Sequence, residues 1–375
     1  MTFPFLRPAG CLLGLALALN IQPLHATEQQ KVLIVVSGEG RDQGRTRPCF
    51  EMDEFSQAYL IFRGNGLAVE VASPRGGNAE ADKYNPKEAF NAELLEDAEA
   101  LHKLANTHAT AQVNPDDFAA VYVVGGKGAM FDLPADPALR RVISSVYEKG
   151  GVVAAVCHGP AALVDVPLSD GSQLISGKRV TGFSNEEEAV FGKRWAKEFP
   201  FLLEDAMRAR GAQWQEAPLM MPRLVVDGRL ITGQNPYSTT AVAEAIVTAL
   251  GLVPVARQLW RDEATMRLVE RLLAGETKAV HDELAADSER FHAELIGLLG
   301  YYQLQIAQGD KAIRDALAIM ELATPYMQEP QLKLGIADAR WRLGDVAEAR
   351  KLVGKLVETH PDMDEARQLL AKMGD

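Results

Sequence analysis

Lys31-Val32-Leu33-Ile34-Val35-Val36-Ser37 is a continuous apolar, β-branched run that ends in Gly38. A run without polar alternation reads as a strand buried on both faces. From about Glu51 to Arg63 the pattern is helical, and Gly64-Asn65-Gly66 closes it. Leu67 to Ala72 predicts a second strand, stopped by Ser73-Pro74. Phe90 to Leu104 predicts a helix, and Ala119 to Val124 a third strand running into Gly125-Gly126. Pro137 to Glu148 predicts another helix. Val152 to Val156 is a fourth strand, leading straight into Cys157-His158-Gly159-Pro160. Strands alternating with helices imply an α/β protein with a doubly wound, mostly parallel sheet. Sites in such sheets form at the carboxyl ends of the strands. Three segments lie at such ends: Gly38 to Glu54, Gly125 to Gly128, and Cys157-His158.

After about Pro254 the strand signals stop. Glycine-led turns recur at Gly275-Glu276, Gly309-Asp310 and Gly344-Asp345, spaced by 34 and 35 residues. The tetratricopeptide period is about 34. The last unit fits best, with Ala337 at the close-packing position, Ala349 after the turn and Pro361 at its end. The middle unit fits approximately, with Pro325 one residue early, and the first is weak. Leu343, Ala347, Val353 and Val357 suit paired amphipathic helices. Residues 254–375 are therefore expected to form an all-α, tetratricopeptide-like domain after an α/β domain of residues 27–253. Such a domain offers a concave surface to a protein or peptide partner. With fewer than three good units it also suits a helical cap that stabilises or dimerises the α/β domain, as a homodimer.

Residues 1–26 have a different character. Arg7 is their only charge, an apolar run from Ala9 to Leu19 follows, and Ala26 stands at the exit. A basic start, a short apolar run and a small exit residue predict a secretory signal peptide cut after Ala26. The alternative is an uncleaved anchor, but a spanning helix needs about 20 apolar residues. Export would place the mature protein in the periplasm, an oxidising compartment without ATP or a glutathione pool. It would retain two of the three cysteines, Cys49 and Cys157. That number is too small for a disulfide scaffold.

At 375 residues, the chain has room for two or three domains of roughly 150 residues. Hydrophobic residues at 47% and charged residues at 24% exclude a disordered chain, a collagen-like fibre and a multi-span membrane protein. The formal net charge of −12 argues against a nucleic-acid partner, because phosphate binding needs a basic footprint.

The chemistry concentrates at Cys157. A strand that turns abruptly into a helix holds its turn residue in a strained, exposed pose. A helix N-terminus there is expected to lower the thiol pKa and supply thiolate near neutral pH. Pro160 suits a first helical turn, and Gly159 with Ala161-Ala162 allows close contact with the sheet. A lone cysteine is otherwise a small buried apolar residue. The same segment, Val152 to Leu163, resembles the nucleophile segment of the ThiJ/PfpI superfamily, within the glutamine amidotransferase-like fold. The branch it is most similar to is that of the heat-shock chaperones and glutathione-independent glyoxalases (glyoxalase III). Residues 72–77, 125–134, 180–187, 201–205 and 230–236 resemble that branch in order and spacing. The resemblance spans about Lys31 to Gly251 and implies a flavodoxin-like sandwich.

The resemblance also implies roles. Cys157 matches the nucleophile, His158 the adjacent base, and Glu54 the glutamate that contacts the thiol. Glu188 matches the acid that orients the histidine, with Glu186 as fallback. Gly126 and the backbone N–H of His158 match the oxyanion hole. Read alone, Glu54 is an ordinary helix carboxylate, Glu186-Glu187-Glu188 a solvated face and Gly125-Gly126 a tight turn. A desolvated carboxyl beside a thiolate would hold a proton at neutral pH, which suits Glu54 as an acid–base residue. Two positions depart from the family: Lys127 stands where it usually has His, and Cys49 where it usually has Gly. Lys127 would put a positive charge at the pocket mouth, where it would either favour an anionic or dicarbonyl substrate or merely be solvated. Cys49 could form a reversible disulfide with Cys157, provided their separation allows it.

The implied function is a glyoxalase III-like enzyme without cofactor or metal, converting a small dicarbonyl substrate, methylglyoxal, and water to D-lactate. The alternatives are a periplasmic holdase chaperone and a cysteine hydrolase acting on peptides, esters or glycated proteins. Glutamine amidotransfer fits less well, because its triad places His and Glu downstream of the cysteine.

Overall fold

The computed structural model describes residues 1–2 and 29–374; the expected signal peptide lies, but for its first two residues, outside the described residues. Among the described residues no helix is long and apolar enough to cross a membrane.

A seven-stranded sheet organises residues 31–233. Its strands are β1 (Lys31–Val35), β2 (Ala68–Ser73), β3 (His108–Ala109), β4 (Ala120–Val123), β5 (Val152–Val156), β8 (Leu224–Asp227) and β9 (Leu230–Gly233). Their order is β3-β2-β1-β4-β5-β9-β8. All neighbours are parallel except the edge pair β8–β9. Two short strands, β6 (Arg179–Val180) and β7 (Gln213–Trp214), pair separately in parallel. The central strands are buried along their whole length, which explains their unbroken apolar sequence.

The helices follow from that order. From β1 the chain moves outward to β2 and later returns to β4 and β5 on the other side. Right-handed crossovers therefore put α1 (Met52–Gly64) and α5 (Pro137–Glu148) on opposite faces. The reversal leaves a crevice beyond the carboxyl ends of β1 and β4, where open α/β sheets form sites. Between them lie α2 (Ala89–Glu96), α3 (Ala98–Ala105) and the short α4 (Ala129–Asp132). The single helix expected over Phe90 to Leu104 is thus two. Asp97 is extended, and its carboxyl accepts the N–H groups of Glu99 and Ala100, capping a new start. Beyond β5 come α6 (Asn185–Phe191), α7 (Leu203–Ala209) and α8 (Thr239–Ala249).

From Arg261 onward the chain is helical: α9 (Arg261–Leu273), α10 (Thr277–Ala286), α11 (Ala293–Ile306), α12 (Gly309–Ala323), α13 (Pro330–Arg342), α14 (Val346–Thr359) and α15 (Asp364–Lys372). Gly275, Gly309 and Gly344 have φ of 96°, 76° and 89°, so all three turns use the left-handed region. The weak first unit, α9–α10, shares its turn with the last: Gly275 and Gly344 close their helices with the same pair of backbone hydrogen bonds, whereas Gly309 opens α12.

Three apolar cores support the described residues, the smallest of them within α13 to α15. One surrounds the sheet. A second joins helices α9 to α13 to Leu219, Met220 and Met221, which belong to the α/β region. Leu299, fully buried in α11, sits in this second core, whereas its neighbour Leu298 is exposed. Leu299→Ala should destabilise the protein by about 2–5 kcal/mol and Leu298→Ala by no more than about 0.5 kcal/mol. Urea unfolding midpoints of the two variants check this; equal shifts would contradict the packing described.

Candidate active site

β5 ends at Val156, and Cys157 has φ of 59°, a value that non-glycine residues rarely adopt. The backbone is pinned there on both sides. The Cys157 N–H donates to the Gly233 carbonyl at 3.0 Å, and its own carbonyl accepts the Phe183 N–H at 2.8 Å. Glycines make the closeness feasible. A Cβ on Gly125 would stand 2.7 Å from the Cys157 Cβ, and one on Gly159 would stand 2.4 Å from the Val123 carbonyl oxygen.

The segment after the elbow corrects one expectation. Gly159–Leu163 is a five-residue 3₁₀ turn, not an α-helix. It presents no long run of aligned peptides, so little macrodipole acts on the sulfur. Burial, and then the neighbouring Glu54, push the Cys157 thiol well above its ordinary value, while the Gly126 N–H pulls the other way. The resting sulfur is a protonated thiol rather than a preformed thiolate.

His158 stands beside it. Its Nδ1 is 3.4 Å from the Cys157 Sγ, and its Nε2 is 2.8 Å from Glu188 Oε2. Phe183 stacks on the imidazole at 4.4 Å and Phe199 meets it edge-on at 5.8 Å. Burial pushes the His158 pKa down, against the pull of Glu188. The ring is a neutral base: with Nε2–H donated to Glu188, the Nδ1 lone pair faces the thiol. Glu188, not Glu186, is therefore the carboxyl that meets the histidine. Glu186 is exposed one residue into α6.

Glu54, in the first turn of α1, is fully buried. Its Oε2 accepts the Gly125 N–H at 2.6 Å. Its Oε1 is buried without a hydrogen-bond partner among the described residues, and the Cys157 thiol is among the neighbours that act on its charge. Burial and then Glu51 raise its pKa well above the carboxylate range, so Glu54 carries a proton at neutral pH. Gly126 has φ of 84°, and a Cβ there would lie 2.5 Å from the Glu51 nitrogen. Its N–H favours the charged form of the neighbouring Cys157 sulfur. Neither that N–H nor the His158 N–H is taken by a backbone carbonyl. Both remain for a developing oxyanion.

Cys157 and His158 lie at the floor of a cavity of about 210 Å³, with Lys127 on its wall. Cys49 does not join them. It is buried elsewhere, its Sγ 3.7 Å from the Arg47 carbonyl oxygen and against Gly40. Both cysteines are free thiols, so the suggested disulfide is not formed. Burial and then Asp82 raise the Cys49 pKa to about 12, which leaves it a poor nucleophile.

The cavity wall also contains Glu51, Asp82, Glu187, Met220, Asn235 and Tyr237, none of them singled out from sequence. Glu187 carried a legible signal: Ser184-Asn185-Glu186-Glu187 is a capping-box sequence. In the structure Ser184 and Glu187 cap α6 reciprocally. Glu187 Oε1 also accepts from the Asn235 side chain at 2.8 Å and from the Met220 N–H at 3.3 Å.

A buried thiol between a neutral imidazole and a protonated carboxyl, at the carboxyl end of a parallel sheet, defines the class: an α/β sandwich protein with a Cys–His–Glu site. The model of the DJ-1/PfpI family matches residues 46–249, more than half of the chain, and the protein belongs to that family. A tetratricopeptide-repeat model matches residues 330–373. The glutathione-independent glyoxalase hsp3101 of Schizosaccharomyces pombe is 32% identical over 201 residues, covering 50% of this chain and 82% of that one. The glutathione-independent glyoxalase HSP31 of Saccharomyces cerevisiae is 33% identical over 204 residues, covering 51% and 85%. The crystal structure of glyoxalase III from Candida albicans superposes with a TM-score of 0.54 at 28% identity, covering 59% of this chain and 97% of that one.

Burial, the leading cause in each case, raises Glu51 to about 8 and Glu187 to about 7. An acid whose folded pKa is raised contributes stability that is full below its unfolded value, near 4.5, and is lost as pH rises through the folded value. Wild-type stability should therefore fall between pH 5 and 9. In Glu51→Gln the fall should be smaller by at least about 3 °C in unfolding temperature. In Glu187→Gln the difference should be complete soon after pH 7. Thermal unfolding at pH 5, 7 and 9 tests this, and parallel profiles for variants and wild type would contradict it.

Proposed function

We propose that this protein is a glutathione-independent glyoxalase that converts small 2-oxoaldehydes, methylglyoxal first, and water to 2-hydroxy acids such as D-lactate. The observation that carries the reading is the Cys157 sulfur, flanked by the Nδ1 of neutral His158 and the protonated carboxyl of Glu54. The names of the related enzymes supply the reaction.

The thiol gives its proton to His158 Nδ1 as sulfur bonds to the aldehyde carbon. The carbonyl π electrons move to oxygen, which the N–H groups of Gly126 and His158 receive. Imidazolium returns the proton to that oxygen, leaving a hemithioacetal and a neutral imidazole. His158 then removes the proton on the former aldehyde carbon while Glu54 protonates the adjacent ketone oxygen, giving an enediol. In the return step His158 protonates the second carbon and Glu54 takes back the hydroxyl proton of the first. The product is a thioester, and the net change is a hydrogen moved from one carbon to the next. Water, activated by His158, cleaves the thioester and restores the thiol. Glu188 holds each imidazolium that forms. No step requires glutathione, which suits an enzyme that works after export behind the leader of residues 1–26.

Lactate formation from methylglyoxal, without glutathione and with Cys157 kept reduced, tests the proposal. Cys157→Ala should lose at least about 10³-fold in activity. Glu54→Gln should lose about 10²- to 10⁴-fold, mainly in kcat, because it removes an acid–base group. Lactate formed equally well by Cys157→Ala, or none formed by wild type, would refute the proposal.

A further inference from the structure

The helical region touches the candidate site at two points. Gln303, on α11, is buried, and its side-chain amide donates to the Leu219 carbonyl at 3.0 Å. The next residue is Met220, whose φ of 65° places it in the left-handed region and whose side chain forms part of the cavity wall. The Met220 N–H donates to Glu187, also on that wall. The second point is Tyr302, beside Gln303. Its ring meets Phe191 edge-on at 5.1 Å. Phe191 is the last residue of α6 and a further part of the wall. Glu188, the partner of His158, is one turn earlier on that helix.

A strained turn persists only when its surroundings over-determine it. Here one anchor comes from the α/β region, through Glu187 and through Asn235, which donates to the Met221 carbonyl at 2.9 Å. The other comes from α11. We infer that α11 is a working part of the active site. Gln303 and Tyr302 are positioning residues that hold the Met220 turn and the end of α6, and so set how large a substrate reaches Cys157. Removing the Gln303 donor frees the Met220 turn to relax outward and widen the cavity mouth. The helical region thus confers selectivity for small aldehydes. As a statement about substrate size this rests on the glyoxalase reading; as a statement about access to Cys157 it does not.

The experiment uses the full chain and two alkylating probes, iodoacetamide and the bulkier N-phenylmaleimide. Rates are read on the peptide containing Cys157 by mass spectrometry, so reaction at other cysteines does not interfere. Gln303→Met retains the bulk of the side chain and removes the donor. It should raise the ratio of the large-probe rate to the small-probe rate about three- to tenfold, the scale on which one hydrogen bond biases a two-state turn. Tyr302→Leu is the second variant, should the first fail to fold, and should act in the same direction. Leu356→Ala, buried in the separate core of α13 to α15, is the control for general loosening and should leave the ratio unchanged. With turnover, KM for phenylglyoxal should fall relative to KM for methylglyoxal in Gln303→Met, with little change in kcat for methylglyoxal. An unchanged probe ratio in folded Gln303→Met, or an equal rise in Leu356→Ala, would overturn the inference. If wild type forms no lactate the glyoxalase reading fails by itself, while the probe ratio still decides the role of α11.

Discussion

The site depends on one backbone constraint: the chain leaves β5 through a left-handed cysteine whose backbone is closely packed by its neighbours. A Cβ at Gly125 would strike Cys157 itself, a Cβ at Gly159 would strike the carbonyl of Val123, and a Cβ at Gly233 would lie 2.7 Å from a methyl of Val242. Glycines on three neighbouring segments thus let the carboxyl ends of β4, β5 and β9 crowd together. That crowding fixes the Cys157 side chain beside Gly125 and Gly126. It also explains why the elbow tolerates a conformation that costs of order 1–3 kcal/mol. The cost is offset by a sheet core that leaves the turn no alternative path.

The electrostatics follow from the same burial. Desolvation is the first cause of every large shift at the site: it raises Cys157, Glu54, Glu51 and Glu187 and lowers His158. These groups favour their uncharged forms, in contrast to the ion pair that a preformed thiolate and imidazolium would make. A neutral base and a neutral acid on either side of a thiol suit chemistry in which protons move one way and then return. Lys127 on the wall supplies positive charge without adding a second nucleophile.

The central strands were legible in the sequence because burial on both faces leaves an unbroken apolar run. Val152 to Val156 and Pro137 to Glu148 end where the pattern ends. The edge strand β8 and its antiparallel neighbour β9 are four residues each and are not set off by a helix between them, so the pattern did not place them. Cys157 and His158 were legible from the strand-to-turn context. Glu54 and Glu188 rested on resemblance alone, because a carboxylate on a helix looks the same in sequence whether water or a thiol faces it. The thiol pKa was not legible, because Pro160 suits the start of a 3₁₀ turn as well as the start of an α-helix, and only the latter develops a macrodipole. The support that α11 gives the wall of the site was invisible because the contact between Gln303 and Leu219 spans 84 residues without a periodic signal.

That wall changes how the two halves of the chain relate. α6 is only seven residues long, and short isolated helices are unstable in water. It is held at its start by the Ser184–Glu187 capping box, along its length by Asn235 and Met220 on Glu187, and at its end by Tyr302 on Phe191. Two successive residues then do different work: Glu187 holds the wall, and Glu188 holds the imidazole. A helix this short moves as a unit, so what displaces Phe191 also displaces Glu188. The helical region therefore bears on proton transfer through α6 and on access through the Met220 turn. A second domain that merely shielded apolar surface would need neither the buried amide of Gln303 nor its hydrogen bond to a strained turn.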